Sequence, residues 1–347
     1  MSIRSTLTKN AIGLVTLAAC VLLLLVPADD RMIADDSVNL DAVERRHNPG
    51  HYVSLRRKDD RSTIAELALP GVTGVQRRYY WKTLEPSKGE YDFSAIRADL
   101  AETGKHGLQL VVFVEDKTFN GEMPTPDYLR KKYTLKNRNG GYTVWRWDSY
   151  VQARFIALLT AIGAEFDGEP GFEGMAIQET SLSLEDDVLR AHDYSPEKYR
   201  DNLAAVLLAA ADAAPHSNVF WYQNYLPKNQ KYLASIAELV YDRGVIIGGP
   251  DVLPDNPSLT RMVYPLYQKM AGRATMFNSL QYDSYGHERA DGKEKYWSLE
   301  DLYMYARDEL HVEYLMWNHK TWRKPKDSFD FEDAKAVIAR TADFGDG

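Results

Sequence analysis

Several apolar runs in this chain stop abruptly on side chains that can move protons or hold hydroxyl groups. Leu108 to Glu115 ends in a carboxylate, Gly174-Met175-Ala176-Ile177 runs into Gln178-Glu179, and Gly248-Gly249-Pro250 leads into Asp251. The run from Ala274 continues into Gln281-Tyr282-Asp283, Asn218 to Tyr222 is followed by Gln223-Asn224, and Val312 to Trp317 by Asn318-His319. Carboxylates of the types found at Glu115, Glu179, Asp251 and Asp283 serve as acids, bases or nucleophiles. The amides of Gln178, Asn224, Gln281 and Asn318 offer both donors and acceptors to hydroxyls. Arg77 or Arg78 can keep a neighbouring carboxylate ionised through charge-assisted bonds. Trp81 and Trp317 add flat, amphipathic faces. Such a mixture suits a polyhydroxylated ligand better than a phosphate or an apolar one.

Other chemistries find no support in the residues. Among the 8 histidines, His287, His311 and His319 are spaced too irregularly to propose a site, so no metal is expected. There is no Gly-x-Gly-x-x-Gly, no Gly-x-x-x-x-Gly-Lys and no Gly-x-Ser-x-Gly, and no cofactor is expected. Gly248-Gly249-Pro250 is a turn whose following Asp251 would repel a phosphate. A net charge of -8 and the lack of a basic stretch argue against nucleic acid or an anionic membrane surface as the main partner. An aromatic share of 12%, rich in Tyr and Trp, fits the stacking of rings on sugar faces.

The elements that must position these residues alternate regularly. Short β-branched runs at His51–Leu55, Gly74–Trp81, Leu108–Glu115, Phe172–Glu179, Asn218–Asn224, Gly244–Gly249, Ala274–Asp283 and Val312–Asn318 read as strands. Helical patterns fall between them, among others at Phe93–Lys105, Ser149–Phe166, Pro196–Ala213 and Leu299–Glu309, the last with Ser298 as its cap. Eight such units predict a single α/β domain, a (β/α)₈ barrel over residues 50–347, in which the strand ends named above share the working face. The third connection, Lys117 to Asp148, is long and carries Phe119, Tyr128, Tyr133, Tyr142, Trp145 and Trp147, so an ordered cleft wall is expected there.

The first 28 residues stand apart. Arg4 and Lys9 precede an apolar run from Ala11 to Ala28, and Val26-Pro27-Ala28 before Asp29-Asp30 fits a signal-peptide cleavage site. Export to the periplasm or beyond is expected, with an uncleaved membrane anchor over residues 11–28 as the second reading and a lipoprotein through Cys20 as the third. Cys20 is the only cysteine, so a cleaved chain would hold no disulfide. Residues 29–49 read as a polar lead-in.

One ordered string carries a family resemblance. Val75-Gln76-Arg77-Arg78-Tyr79-Tyr80-Trp81 runs into Leu84-Glu85-Pro86, then Gly89 and Tyr91-Asp92-Phe93. This resembles the second βα unit of clan A glycoside hydrolases such as the family 42 β-galactosidases, and Pro124 to Leu129 resembles the turn after their third strand. The resemblance implies glycosidic hydrolysis of a poly- or oligosaccharide. It implies that Glu179 is the general acid/base, with Gln178 where the family usually keeps Asn. Trp317 would be the platform under the sugar, flanked by Trp81. The family's nucleophile, a Glu ending strand seven, has no counterpart, and Asp283 is the nearest substitute, with Glu115 or Asp251 as alternatives. The rival expectation is a carbohydrate-binding barrel that has lost its nucleophile.

Overall fold

The computed structural model describes residues 44–320 and 328–344. The candidate signal or anchor segment and most of the lead-in lie outside the described residues. Eight strands form a closed, all-parallel barrel: β1 (Gly50–Leu55), β2 (Val72–Tyr80), β3 (Gln109–Glu115), β4 (Phe172–Ile177), β5 (Asn218–Tyr222), β6 (Val245–Gly249), β7 (Met276–Leu280) and β8 (Tyr314–Asn318). Neighbours pair in sequence order, and β1 closes the ring against β8, with Val53 opposite Trp317. The (β/α)₈ barrel expected from the alternation is therefore the fold. Strands buried on both faces need near-continuous apolar runs, as in Leu110-Val111-Val112-Phe113-Val114 of β3.

Helices cover the outside. The longest are α1 (Ser149–Phe166) and α2 (Pro196–Ala213), matching the predicted spans, and shorter ones include α3 (Leu299–Asp308) and α4 (Phe331–Arg340). Each begins where a side chain takes up free backbone N–H groups: Asp148 accepts from Tyr150 and Val151, Ser195 from Lys198, and Ser298 from Asp301. On α1 the inner stripe Val151, Phe155, Leu158, Leu159, Ile162 and Phe166 keeps the three-to-four spacing that seats a helix on a sheet.

Inside the barrel, Tyr52, Phe113, Phe220, Tyr222, Phe277 and Tyr314 fill the space with Val111, Ala176, Ile246 and Met316. Rings of this size fit because Gly74 and Gly248 face them, and a methyl group at either would overlap Tyr52 or Phe277. Beneath the mouth runs a polar belt. Ser54 donates to Gln76 Oε1 at 3.1 Å, Gln76 Nε2 donates to the Tyr222 hydroxyl at 2.7 Å, and Ser279 meets that hydroxyl at 3.0 Å. At the opposite end, buried Glu173 accepts from Asn48 Nδ2, Tyr314 and Asn218 Nδ2 at 2.7, 2.8 and 3.0 Å, closing the floor. Burial raises the pKa of that carboxyl.

The string that carries the family resemblance turns out to build the wall. Glu85 is fully buried and accepts from Trp81 Nε1 and the Tyr128 hydroxyl, both at 2.7 Å, and from the Gly89 amide at 2.8 Å, while Arg154 of α1 pairs with it. Trp81 packs its ring on Phe155, 4.9 Å between centroids, so it is a core residue and not a flank of the mouth. Trp317 is also fully buried, because it lies on the outward phase of β8, and its Nε1 donates to His51 Nδ1 at 3.0 Å. It cannot serve as the sugar platform that the resemblance implies.

That last bond fixes a charge state. His51 Nδ1 accepts from Trp317, so the ring proton sits on Nε2, which lies 3.0 Å from the Thr341 carbonyl. Burial lowers the His51 pKa to about 4, only partly opposed by the Thr341 carbonyl. The unfolded chain therefore binds one more proton than the folded one between about pH 6.5 and 4, and stability falls as pH drops through that window. We expect the wild type to lose about 3 kcal/mol more than His51→Gln on going from pH 7 to pH 4. Urea unfolding of both proteins at the two pH values checks this, and equal losses would contradict it.

Candidate active site

The C-terminal ends of the strands bring the predicted carboxylates to one mouth, but in two groups of different character. On the β1 to β3 side, Glu115 is buried between Arg57, with which it forms a close ion pair, and Arg78, 3.5 Å away. Glu122 joins them, held 2.5 Å from Lys58 and bonded by the Tyr80 hydroxyl, and these contacts depress its pKa to about 2. Arg57 also lies over the Tyr80 ring, 3.7 Å from its centroid. Three cations thus meet two carboxylates on this side.

The strand's two-residue period decides which arginine takes part. Gln76, Arg78 and Tyr80 point inward, whereas Arg77 points out to the helix layer, donating to the Asp59 carbonyl at 2.6 Å and lying 3.4 Å from Asp99. Arg77 is thus removed from the candidate site and Arg78 replaces it.

On the β4 to β7 side the balance is different. Glu179, two residues beyond the end of β4, is gripped at both oxygens: Lys117 Nζ lies 2.8 Å from one and Asn224 Nδ2 2.5 Å from the other. Asn224 is itself fixed, accepting from the Thr180 hydroxyl and the Ser181 amide at 3.1 and 2.9 Å. Lys117 is wholly buried and also donates to the Ser181 carbonyl at 2.6 Å. Its burial lowers the ammonium pKa, against which Glu179 pulls upward. Behind this pair, Arg146 forks onto Asp116 at 2.5 and 2.7 Å and donates to the Glu179 carbonyl at 2.5 Å. Gln178 serves the same frame, its Oε1 accepting the Asp116 and Lys117 amides at 3.2 and 2.9 Å, so this amide orients backbone instead of a ligand.

Asp251 lies near Glu179 and Asp283 without any such support. The Asp251 carboxyl has no hydrogen-bond donor or cation on it among the described residues. Although Asp251 keeps some exposed surface, burial of the carboxyl, with the nearby charges of Glu179 and Asp283, raises its pKa to about 8. Asp283 lies in the short helix Tyr282–Tyr285 and is more exposed, and burial raises its pKa too, with the Tyr282 hydroxyl pulling the other way. Gln281 follows Phe277 and Ser279 in the inward phase of β7, and Asn318 follows Met316 in that of β8, its amide donating to the Lys320 carbonyl at 3.2 Å.

The aromatics divide likewise. Within the third connection, Tyr128 is tied to Glu85, Tyr133 stacks on Tyr150 at 5.2 Å, and Trp147 is buried, so most of that loop's rings pack against helices and do not line a cleft. Phe119 is the exception, 51% exposed, with Lys117 Nζ 4.6 Å from its ring centroid. Tyr282, 43% exposed, stands beside Asp283 on the far side of the mouth. Phe119 is one of the rings expected in the cleft wall, whereas Lys117 and Arg57 are site residues that the sequence reading misses. Lys117 follows Glu115-Asp116 directly, and Arg57 lies two residues past β1, so the strand-end rule reaches them both. Among the described residues no group of three or more His, Cys, Asp and Glu side chains is placed to hold a metal.

No protein-family model and no curated protein matches the sequence. Solved structures do. The catalytic domain of β-amylase from Paenibacillus polymyxa superposes with a TM-score of 0.57 over 86% of this chain and 99% of its own, at 11% identity. A GH5_18 protein from Streptomyces cattleya in complex with GlcNAc gives 0.57 over 86% and 82%, at 14% identity. The β-galactosidase from the psychrophilic Marinomonas ef1 gives 0.55 over 83% of this chain and 59% of its own, at 9% identity. The likeness is one of fold: this chain and these proteins share a (β/α)₈ barrel.

A buried pair with one partner removed leaves the other charge stranded. Lys117→Met should therefore destabilise the fold by about 3 kcal/mol, and the double variant Lys117→Met/Glu179→Gln should recover most of that loss. Urea unfolding of the two single variants and the double closes the cycle. A coupling near zero would show that the ion pair is not formed.

Proposed function

We propose that this chain is an exported O-glycosyl hydrolase acting on a poly- or oligosaccharide by carboxylate chemistry at the barrel mouth. The observation that carries the reading is the convergence of Glu179, Asp251 and Asp283 on one side of that mouth, with a buried cation on Glu179 alone. Glycosidic hydrolysis needs one carboxyl group that holds its proton and one that does not. Burial and like charge raise the pKa of Asp251, whereas Lys117 compensates the charge of Glu179, so both kinds of environment are present together. Asp283 is the further carboxylate of the group. Phe119 and Tyr282 offer exposed ring faces at the rim for sugar stacking, in place of Trp81 and Trp317. Arg78, Glu115, Asn224, Gln281 and Asn318 supply polar groups around them. Solved structures of like fold include GH5_18 proteins in complex with GlcNAc and with Manβ1-4GlcNAc, which supports a sugar as the ligand class. Export rests on the apolar run Ala11 to Ala28.

The second reading, a carbohydrate-binding barrel without turnover, is favoured by one feature: β7 leads into Gln281-Tyr282, with no Glu at its end. Reducing-sugar release from a broad panel of polysaccharides and oligosaccharides separates the two. The full chain should release sugar from at least one of them, and Glu179→Gln should lower the rate by about 10³-fold. Sugar binding without release by either protein would leave the binding barrel.

A further inference from the structure

The resemblance to clan A barrels implies that Glu179 delivers the proton. The surroundings of the carboxylates point the other way. Glu179 accepts from an ammonium group at 2.8 Å and from an amide at 2.5 Å, so both its oxygens are already engaged by donors. Among the described residues Lys117 has no alternative carboxylate within ion-pair distance, and its other bond goes to the Ser181 carbonyl. Moving the proton onto Glu179 would strand that buried ammonium.

Every ionisable group that acts on Asp251 has the opposite effect. From β4 comes the carboxylate of Glu179 and from the segment after β7 that of Asp283. The phenols of Tyr225, Tyr264 and Tyr267 surround it and bring no positive charge, and Tyr264 spends its hydroxyl on the Asp251 carbonyl at 3.2 Å and the Leu253 amide at 2.8 Å. A carboxyl placed beside carboxylates, with no donor or cation of its own, keeps its proton.

We propose, on the glycosidase reading above, that Asp251 is the proton donor to the glycosidic oxygen and that Glu179 is its ionised partner at the sugar carbon. The glycosidic C–O bond breaks as the Asp251 proton passes to the leaving oxygen. The hydroxyl of a water molecule ends on the sugar carbon, and the water's other proton goes to the carboxylate that Asp251 has become, which restores the donor for the next turnover. Because the reactive form is protonated Asp251, turnover of an unactivated linkage should fall as pH rises through about 8.

The test compares Asp251→Asn and Glu179→Gln on the oligosaccharide released fastest in the panel and on the 2,4-dinitrophenyl glycoside of the same sugar. The latter's leaving group departs without a proton. Asp251→Asn should lose about 10³-fold on the oligosaccharide but stay within about tenfold of wild type on the dinitrophenyl glycoside. Glu179→Gln should lose on both. The wild type should show its alkaline limb near pH 8 on the oligosaccharide and not on the dinitrophenyl glycoside, a readout that needs no variant to fold. The reverse pattern, with Glu179→Gln spared on the dinitrophenyl substrate, would make Glu179 the acid and overturn the assignment while leaving the glycosidase reading intact. A wild type inactive on both substrates would remove that reading and this assignment with it.

Discussion

Closure of eight parallel strands is the constraint from which the rest of this structure follows. A strand in a closed barrel has no edge to spare and two buried faces, so each successive residue is assigned to the interior or to the helix layer with no intermediate choice. On β8, Tyr314, Met316 and Asn318 turn inward while Leu315 and Trp317 turn outward. One residue of offset converts a surface that meets ligand into one that meets helices. The same step separates Arg78, beside Glu115, from Arg77, beside Asp99.

Within that frame the interior is built in layers of different polarity. Aromatic rings fill the lower barrel, the Gln76-Tyr222-Ser279 belt lies above them, and charged groups gather only at the top. The transition is abrupt because a buried polar group must find partners, and the belt supplies them before the mouth opens. At the top the two sides differ in charge balance. Arg57, Arg78 and Lys58 neutralise Glu115 and Glu122, whereas Lys117 faces Glu179 with Asp251 and Asp283 close by. An excess of carboxylates survives only where burial and mutual repulsion let one of them keep a proton.

The architecture was legible because it rests on periodicity. Alternating apolar runs and helical stripes are printed directly in the residues, and the cap at Ser298 and the spans Ser149–Phe166 and Pro196–Ala213 needed only local rules. The site was legible only to the level of strand ends. Trp317 reads as a platform and Trp81 as its flank because an aromatic at a strand end satisfies the pattern whether it faces ligand or helix. Gln178 stands where the resemblance expects an amide for a sugar hydroxyl, yet two backbone amides claim it first. Environment is a property of neighbours distant in sequence: Lys117 and Glu179 are 62 residues apart, and no local rule assigns a charge state to either.

The long third connection gains its meaning from this electrostatic arrangement. Its length and aromatic content suggest a cleft wall, but most of its rings lie on helices, and its principal polar contributions are Lys117 at its start and Arg146 near its end. Arg146 neutralises Asp116 and bonds the Glu179 carbonyl, so among the described residues Glu179 is the carboxylate that Lys117 pairs with. The loop also brings Val144 and Trp147 into the core, and Lys117 lies wholly out of solvent. In water that ammonium would be screened and its pull on a carboxylate weak. Buried, it distinguishes Glu179 from Asp251, which carries no cation among the described residues.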